Sequence, residues 1–218
     1  MDKDKIHIPF HHYFWIFTIC SFFGTIYEEI FHIINYLIKY GRVDWSRRSG
    51  LFWGPLSPVY GFGAVFLLLT LGRKDRKNIR TYIYASLLGG LAEYVMSYAQ
   101  EWVTGTNSWN YSEKFLNIGG RTSVIYMLGW GLAGLVLIKW LYPKVRECIA
   151  KIPRTFYKLS TAVLVVLIAF DLVVSWTALA RMELRHKGIE PYTFIGEFYD
   201  DHFDDDYIKK KYPNMEEK

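Results

Sequence analysis

The chain has 218 residues, 51% of them hydrophobic and 18% aromatic, with a formal net charge of +5. Its apolar residues stand in long blocks separated by short basic loops, which argues against an ordinary soluble domain and predicts a polytopic membrane protein. The Lys and Arg residues cap apolar runs and form no patch, so the basic balance reads as membrane orientation and excludes nucleic acid as the expected partner.

The first apolar run, about His11 to Ile38, is too long for a signal peptide and lacks a small-residue cleavage site, so it reads as a spanning helix. Thr25, Glu28 and Glu29, His32, and Asn35 with Tyr36 recur within it at three-to-four spacing, giving one polar face. After a hydrophilic connection, Arg48 to Gly63 is rich in Gly and Pro and leads into the apolar run Ala64 to Leu71. A rigid irregular turn is predicted there, built on Gly54, Pro55, Pro58, Tyr60, Gly61 and Gly63. Its backbone polar groups need partners in protein or water, because lipid offers none.

A compact basic loop follows, with Arg73, Lys74, Arg76, Lys77 and Arg80. The third helix is expected over about Tyr82 to Trp102. Ser86, Gly89 and Gly90 permit close helix approach, and Glu93, Ser97 and Gln100 with Glu101 continue the same face. A polar and aromatic loop, Thr104 to Arg121, precedes a fourth helix from about Thr122 to Leu141. Gly129, Gly131 and Gly134 lie at its packing positions and Pro143 at its expected stop. A second basic loop holds Lys144, Arg146, Lys151, Arg154 and Lys158. The fifth helix runs from about Leu159 to Ala180, with Asp171 near its middle and Ser175 one turn on.

The expected fold is therefore all-α, a polytopic transmembrane helical bundle of about five spanning helices. A transmembrane helical domain covers residues 1–181 and a polar C-terminal tail covers 182–218. The tail's acidic run, Asp200 to Asp206, lacks the glycine and glutamate spacing of a helix-loop-helix calcium site and reads as a solvated charge run. The loops after helices two and four are densest in Lys and Arg. They and the N-terminus are expected on the cytoplasmic side of a cell membrane, with the Gly/Pro turn and the Trp109–Arg121 loop on the outer face.

An acid at the centre of a lone helix costs on the order of 3 kcal/mol on insertion scales, so Glu28, Glu29, Glu93, Glu101 and Asp171 should be paired or face water. Two readings stay open for them. One is an ion, proton or polar-substrate site; the other is structural bonding to Arg121, Arg48 or a Trp, Tyr or Ser. Arg121, behind two glycines and at a helix N-terminus, could hold an anionic group or pair with Glu93 or Glu101. Trp53, Tyr60, Trp102, Trp109 and Tyr111 read mainly as an interfacial aromatic belt, Trp109 and Tyr111 less easily so. Glu29-x-x-His32 has the spacing of half a di-iron site with no second copy. Cys20 and Cys148 have neither metal nor redox spacing, and no nucleotide loop or serine elbow occurs. No catalytic residue, metal or cofactor is therefore assigned, and enzyme activity is not the favoured reading. The candidate substrate or ion site is Glu29, Glu93, Glu101, Trp109, Tyr111, Asn117 and Arg121.

Gly54-Pro-Leu-Ser-Pro-Val-Tyr-Gly-Phe-Gly63, Glu93, Ser108-Trp-Asn-Tyr-Ser112 and Asn117-Ile-Gly-Gly-Arg121, with Trp130-Gly131 and Tyr212-Pro-Asn-Met215, resemble the bacterial family labelled "Putative ABC-transporter type IV", or CmpB-like. The resemblance covers nearly the whole chain. Asp is usual in that family where this chain has Asn110, which removes a charge from that position. The resemblance implies a permease-like membrane protein, although the short basic inner loops offer no evident segment for coupling to a separate ATPase. The expected partners are the lipid bilayer, with a membrane subunit, an ATPase subunit or a second copy as open additions. A transport-type protein is the first reading; a membrane-embedded lipid-handling enzyme and an accessory scaffold subunit are the alternatives.

Overall fold

The computed structural model describes residues 8–45, 50–72, 75–212 and 216–217. His7, Arg47, Arg48, Ser49, Arg73, Lys74 and the Pro213–Met215 part of the terminal motif lie outside them. The described chain is mainly helical: α1 (Phe10–Tyr40), α2 (Pro58–Leu71), α3 (Asn78–Thr104), α4 (Val124–Val136), α5 (Tyr142–Lys151), α6 (Arg154–His186), α7 (Phe194–His202) and α8 (Asp205–Lys211). Four two-residue strands, β1 (Thr106–Asn107), β2 (Asn117–Ile118), β3 (Thr122–Ser123) and β4 (Glu216–Glu217), pair as β1 with β4 and β2 with β3, both antiparallel.

Among the described residues, three helices are long and apolar enough to cross a membrane: Phe10–Tyr40, Val124–Lys151 and Arg154–His186. Most of each apolar window is exposed, as lipid-facing surface would be. The expected count of about five is not reached by these three. α2 has 14 residues, about 21 Å of helix against a hydrocarbon core of about 30 Å. α3 is long enough at 27 residues, but Arg80, Glu93, Gln100 and Glu101 make it too polar by the same measure.

Pro143 does not stop the fourth helix. α4 runs through a π-helical turn, Leu137–Leu141, directly into α5, and the chain leaves the helix only at Ile152 and Pro153. Pro143 sits at the second position of α5, where the change from π to α pairing leaves no hydrogen bond for its missing N–H to break. Gly131 and Gly134 lie against Ser86 and Ala85 of α3, whereas Gly129 faces open space and is not a packing position.

The chain forms two compact units, one of Met1–Ser21, Pro58–Met96 and Asn110–Val166, the other of Phe22–Ser57, Ser97–Trp109 and Leu167–Lys218. The core of the first gathers Ile16, Leu67, Leu68, Ala85, Leu137 and Tyr142. Within it Lys139, in the Leu137–Leu141 turn, reaches the connection between α2 and α3, donating to the Asp75 carboxylate at 2.6 Å and to the Arg76 carbonyl at 2.6 Å.

The core of the second unit gathers Phe52, Ala178, Leu179, Met182, Phe203 and Ile208. Phe203 and Ile208 belong to the segment expected as a polar tail. The acidic run is not merely solvated. Asp200 takes a bidentate bond from Arg181 at 2.8 and 2.6 Å and a third from Arg185 at 2.7 Å. Asp205 pairs with Arg185 and His186, and Asp204 caps α8 by accepting from Tyr207 N. Phe203, between the two short helices, and Ile208 of α8 supply the burial, while the neighbouring acids pair with Arg181, Arg185 and His186.

The hydrogen bond from Arg181, assisted by Arg185, holds the Asp200 carboxyl below its ordinary value of 3.8. A depressed carboxyl contributes stability that is complete above the unfolded value and is lost as pH falls through the folded one. The tail is thus expected to stay docked at neutral pH and to loosen as pH drops below about 4. Limited proteolysis across that range checks this, with Asp200→Asn giving the loosened pattern at neutral pH.

Candidate functional site

In the first unit, the buried face of α3 reads Thr81, Ala85, Ser86, Gly89, Gly90 and Glu93, small or polar residues at three-to-four spacing. Glu93 is 6% exposed. Thr122 donates its hydroxyl to Glu93 Oε2 at 2.7 Å, and Tyr111 donates to Oε1 at 3.1 Å. The Trp130 indole of α4 lies beside the carboxylate. Among the described residues no Lys, Arg or His pairs with it, so its donors are all neutral.

The loop that carries Tyr111 and Thr122 is folded by its own side chains. Asn117 Nδ2 donates to the Ser112 and Lys114 carbonyls, both at 3.0 Å, and its Oδ1 accepts from Gly120 N at 3.0 Å. Gly119 and Gly120 hold φ of 59° and 68°, the left-handed region that glycine enters without strain. They turn β2 into β3 in the register Ile118 to Thr122, and Tyr111 N donates to the Gly120 carbonyl at 2.7 Å. Asn110 Oδ1 accepts from Ser112 N at 2.9 Å and Ser112 Oγ at 2.7 Å. This turn needs an acceptor oxygen and no charge, so Asn suffices there.

Trp130 is seated in a slot between glycines. A Cβ at Gly63 would meet its ring at 2.5 and 2.8 Å, and one at Gly89 would fall on its Cβ and Cγ. Tyr60 stacks on the indole at 5.9 Å, and Tyr126 stacks on Tyr111 at 4.2 Å. Gly63 and Tyr60 from the predicted turn therefore position the indole at Glu93. Gly61 makes room for Phe17, which a Cβ would approach at 2.6 Å.

In the second unit, the predicted turn closes on Asp171. Its carboxylate accepts from the backbone N–H of Phe52 at 3.1 Å, Trp53 at 3.3 Å and Gly54 at 2.8 Å, and from Ser175 Oγ at 3.1 Å. Gly54 fits closely there, since a Cβ would stand 3.3 Å from Asp171 Oδ2. Trp53 stacks on Phe170 at 5.9 Å, and Phe52 is 1% exposed. The tail completes the shell: Lys211 donates to the Phe52 carbonyl at 2.8 Å and Tyr212 to the Gly50 carbonyl at 3.2 Å. Pro55 is exposed beyond the amide nest, and Pro58 opens α2, where its missing N–H costs nothing.

The remaining candidates fall in different places. Arg121 is half-buried beside Thr122 in the first unit. Glu101, in the second, accepts from Asn107 Nδ2 at 3.2 Å, and Trp109 is half-buried there. Glu29 is half-buried on α1, and His32, one turn on, bonds Asp44 at 2.7 Å. The described residues hold no group of three or more His, Cys, Asp or Glu that could bind a metal. Sequence reading did not assign Thr122 to Glu93 or the turn amides to Asp171; the signal available was a run of backbone donors without partners and a lone buried acid elsewhere.

Three long apolar helices with largely exposed surfaces, a carboxylate buried on a neighbouring helix and basic connections define an α-helical membrane protein. The family model described as "Putative ABC-transporter type IV" matches residues 15–176, which take in both carboxylate sites. The chain belongs to that family. No curated protein and no solved structure matches it.

Proposed function

We propose that this is a transport-type, permease-like protein of the cell membrane, with a cytoplasmic N-terminus, whose working group is the Glu93 carboxylate. The observation that carries the reading is the neutrality of everything that bonds Glu93. A structural acid in an apolar setting is usually matched by a cation, because an uncompensated buried charge is costly. Glu93 has two hydroxyls and an indole, which leave a full negative charge for a small cation or proton to satisfy. Asp171 contrasts with it: three backbone amides and Ser175 quench its charge and fix a turn. Tyr111, Asn117 and Arg121 belong to the loop that shapes the Glu93 site. The bonds from Lys139 to the connection between α2 and α3 support placing that connection and the Leu137–Leu141 turn on one, cytoplasmic side.

The test is flux of protons, sodium and potassium into liposomes holding the purified chain. The expected result is a wild-type flux that falls to the protein-free level in Glu93→Gln. Equal fluxes from wild type and a folded Glu93→Gln variant would remove the proposal.

A further inference from the structure

The donor set at Glu93 takes up a proton and turns away a metal ion, and this narrows the transport reading on which it rests. The groups that face the carboxylate come from every element around it: Tyr111 from the loop, Thr122 from β3 and Trp130 from α4. Behind them stand Tyr126 on Tyr111 and Tyr60 on Trp130. All are neutral side chains. Calcium asks for about six to eight oxygens and magnesium for a near-ideal octahedron of about six. One carboxylate and two hydroxyls supply four at most. The indole can only donate, so it aims a partial positive charge where a cation would sit.

The same set suits a proton. A hydroxyl both donates and accepts. With Glu93 ionised, Thr122 and Tyr111 donate to its two oxygens, as the 2.7 and 3.1 Å bonds record. With Glu93 protonated, one hydroxyl turns round to accept while the indole and the other hydroxyl keep donating. Both carboxyl oxygens keep a hydroxyl partner in either state, and no side chain has to leave its place. Tyr111 is half-buried and its neighbour Ser112 is exposed, so the phenol stands between Glu93 and the loop surface.

We propose that the species bound and released at Glu93 is the proton, with Thr122 and Tyr111 as the hydroxyl pair that reverses as it comes and goes. In the binding step a hydronium ion gives its proton to Glu93 Oε1, an O–H bond forms there, and water leaves. No metal, oxidant or other co-reactant takes part.

Infrared difference spectra of the full chain in lipid, recorded through a pH titration, read this directly. The expected result is a carboxylic-acid carbonyl band that appears on acidification, is lost in Glu93→Gln and is unmoved by sodium, potassium, calcium or magnesium. Thr122→Val should shift that band and Thr122→Ser should restore it, which keeps the test available if Glu93→Gln fails to fold. A Glu93 that stays ionised throughout, or a band that added metal ions abolish, would overturn the proton assignment. The outcomes separate from those of the flux measurement: a titrating band without Glu93-dependent flux retains the proton site and removes the transport reading, and Glu93-dependent sodium or potassium flux without the band does the reverse.

Discussion

Asp171→Ala is expected to release the turn from Leu51 to Gly54 and to lower the stability of the second unit by on the order of 3–5 kcal/mol. Three backbone N–H groups and Ser175 converge on that carboxylate. Alanine removes the carboxylate acceptor of the Trp53 and Gly54 amides and leaves Phe52 N only Ser175 Oγ at 3.0 Å, and each buried donor so orphaned costs about 1–3 kcal/mol. The loss spreads because Phe52 is the centre of the second core, stacked on Phe203 at 5.1 Å and edge-on to Tyr207 at 5.3 Å. Lys211 and Tyr212 reach carbonyls of the same segment, so the tail loses its dock as well. Asp171→Asn should recover only part, since its one oxygen accepts while its NH2 group confronts donors. Thermal unfolding in detergent, with proteolysis at the turn and the tail, measures both. An Asp171→Ala protein that melts with the wild type would show that the amide nest does not hold the turn.

This dependence explains what could be read from the chain beforehand. The apolar blocks gave the long helices, because a hydrophobic length is a one-dimensional property that survives without knowledge of neighbours. The Gly/Pro content of residues 50–58 gave an irregular turn with amides in search of partners, but their partner lies 117 to 119 residues away on α6. No local spacing encodes that pairing. The small-polar stripe on α3 was visible as a face, yet the neutrality of its donors to Glu93 depends on a loop folded by Asn117 and two left-handed glycines. The fourth helix was cut short because Pro143 was weighed as a breaker; the π turn before it is a property of packing and leaves no clear mark in the residues. The tail was read as solvated because its charge density is high. Its aromatic residues carry the burial, and Arg181 and Arg185 on a preceding helix supply the counter-charges.

Gly89→Val should damage the Glu93 site without touching a polar atom. A Cβ at position 89 would lie on Trp130, with Cγ at 2.6 Å, at the root of a side chain whose attachment cannot swing aside. The ring cannot retreat either, because its far edge fills the Gly63 slot and its face meets Tyr60. α4 must therefore move away from α3, or the indole must leave its rotamer. Overpacking of this kind costs about 1–3 kcal/mol, and either response withdraws the indole from Glu93. Gly129→Ala on α4, the helix that carries Trp130, is the control: nothing stands within 4 Å of its Cβ, and alanine favours helix there by up to about 1 kcal/mol. The expected pattern is a lowered melting temperature and a lost or shifted Glu93 infrared band for Gly89→Val, against a neutral or raised melting temperature and an unchanged band for Gly129→Ala. If Gly89→Val leaves the band in place, the indole is not part of what tunes Glu93, and the two hydroxyls alone must account for its protonation.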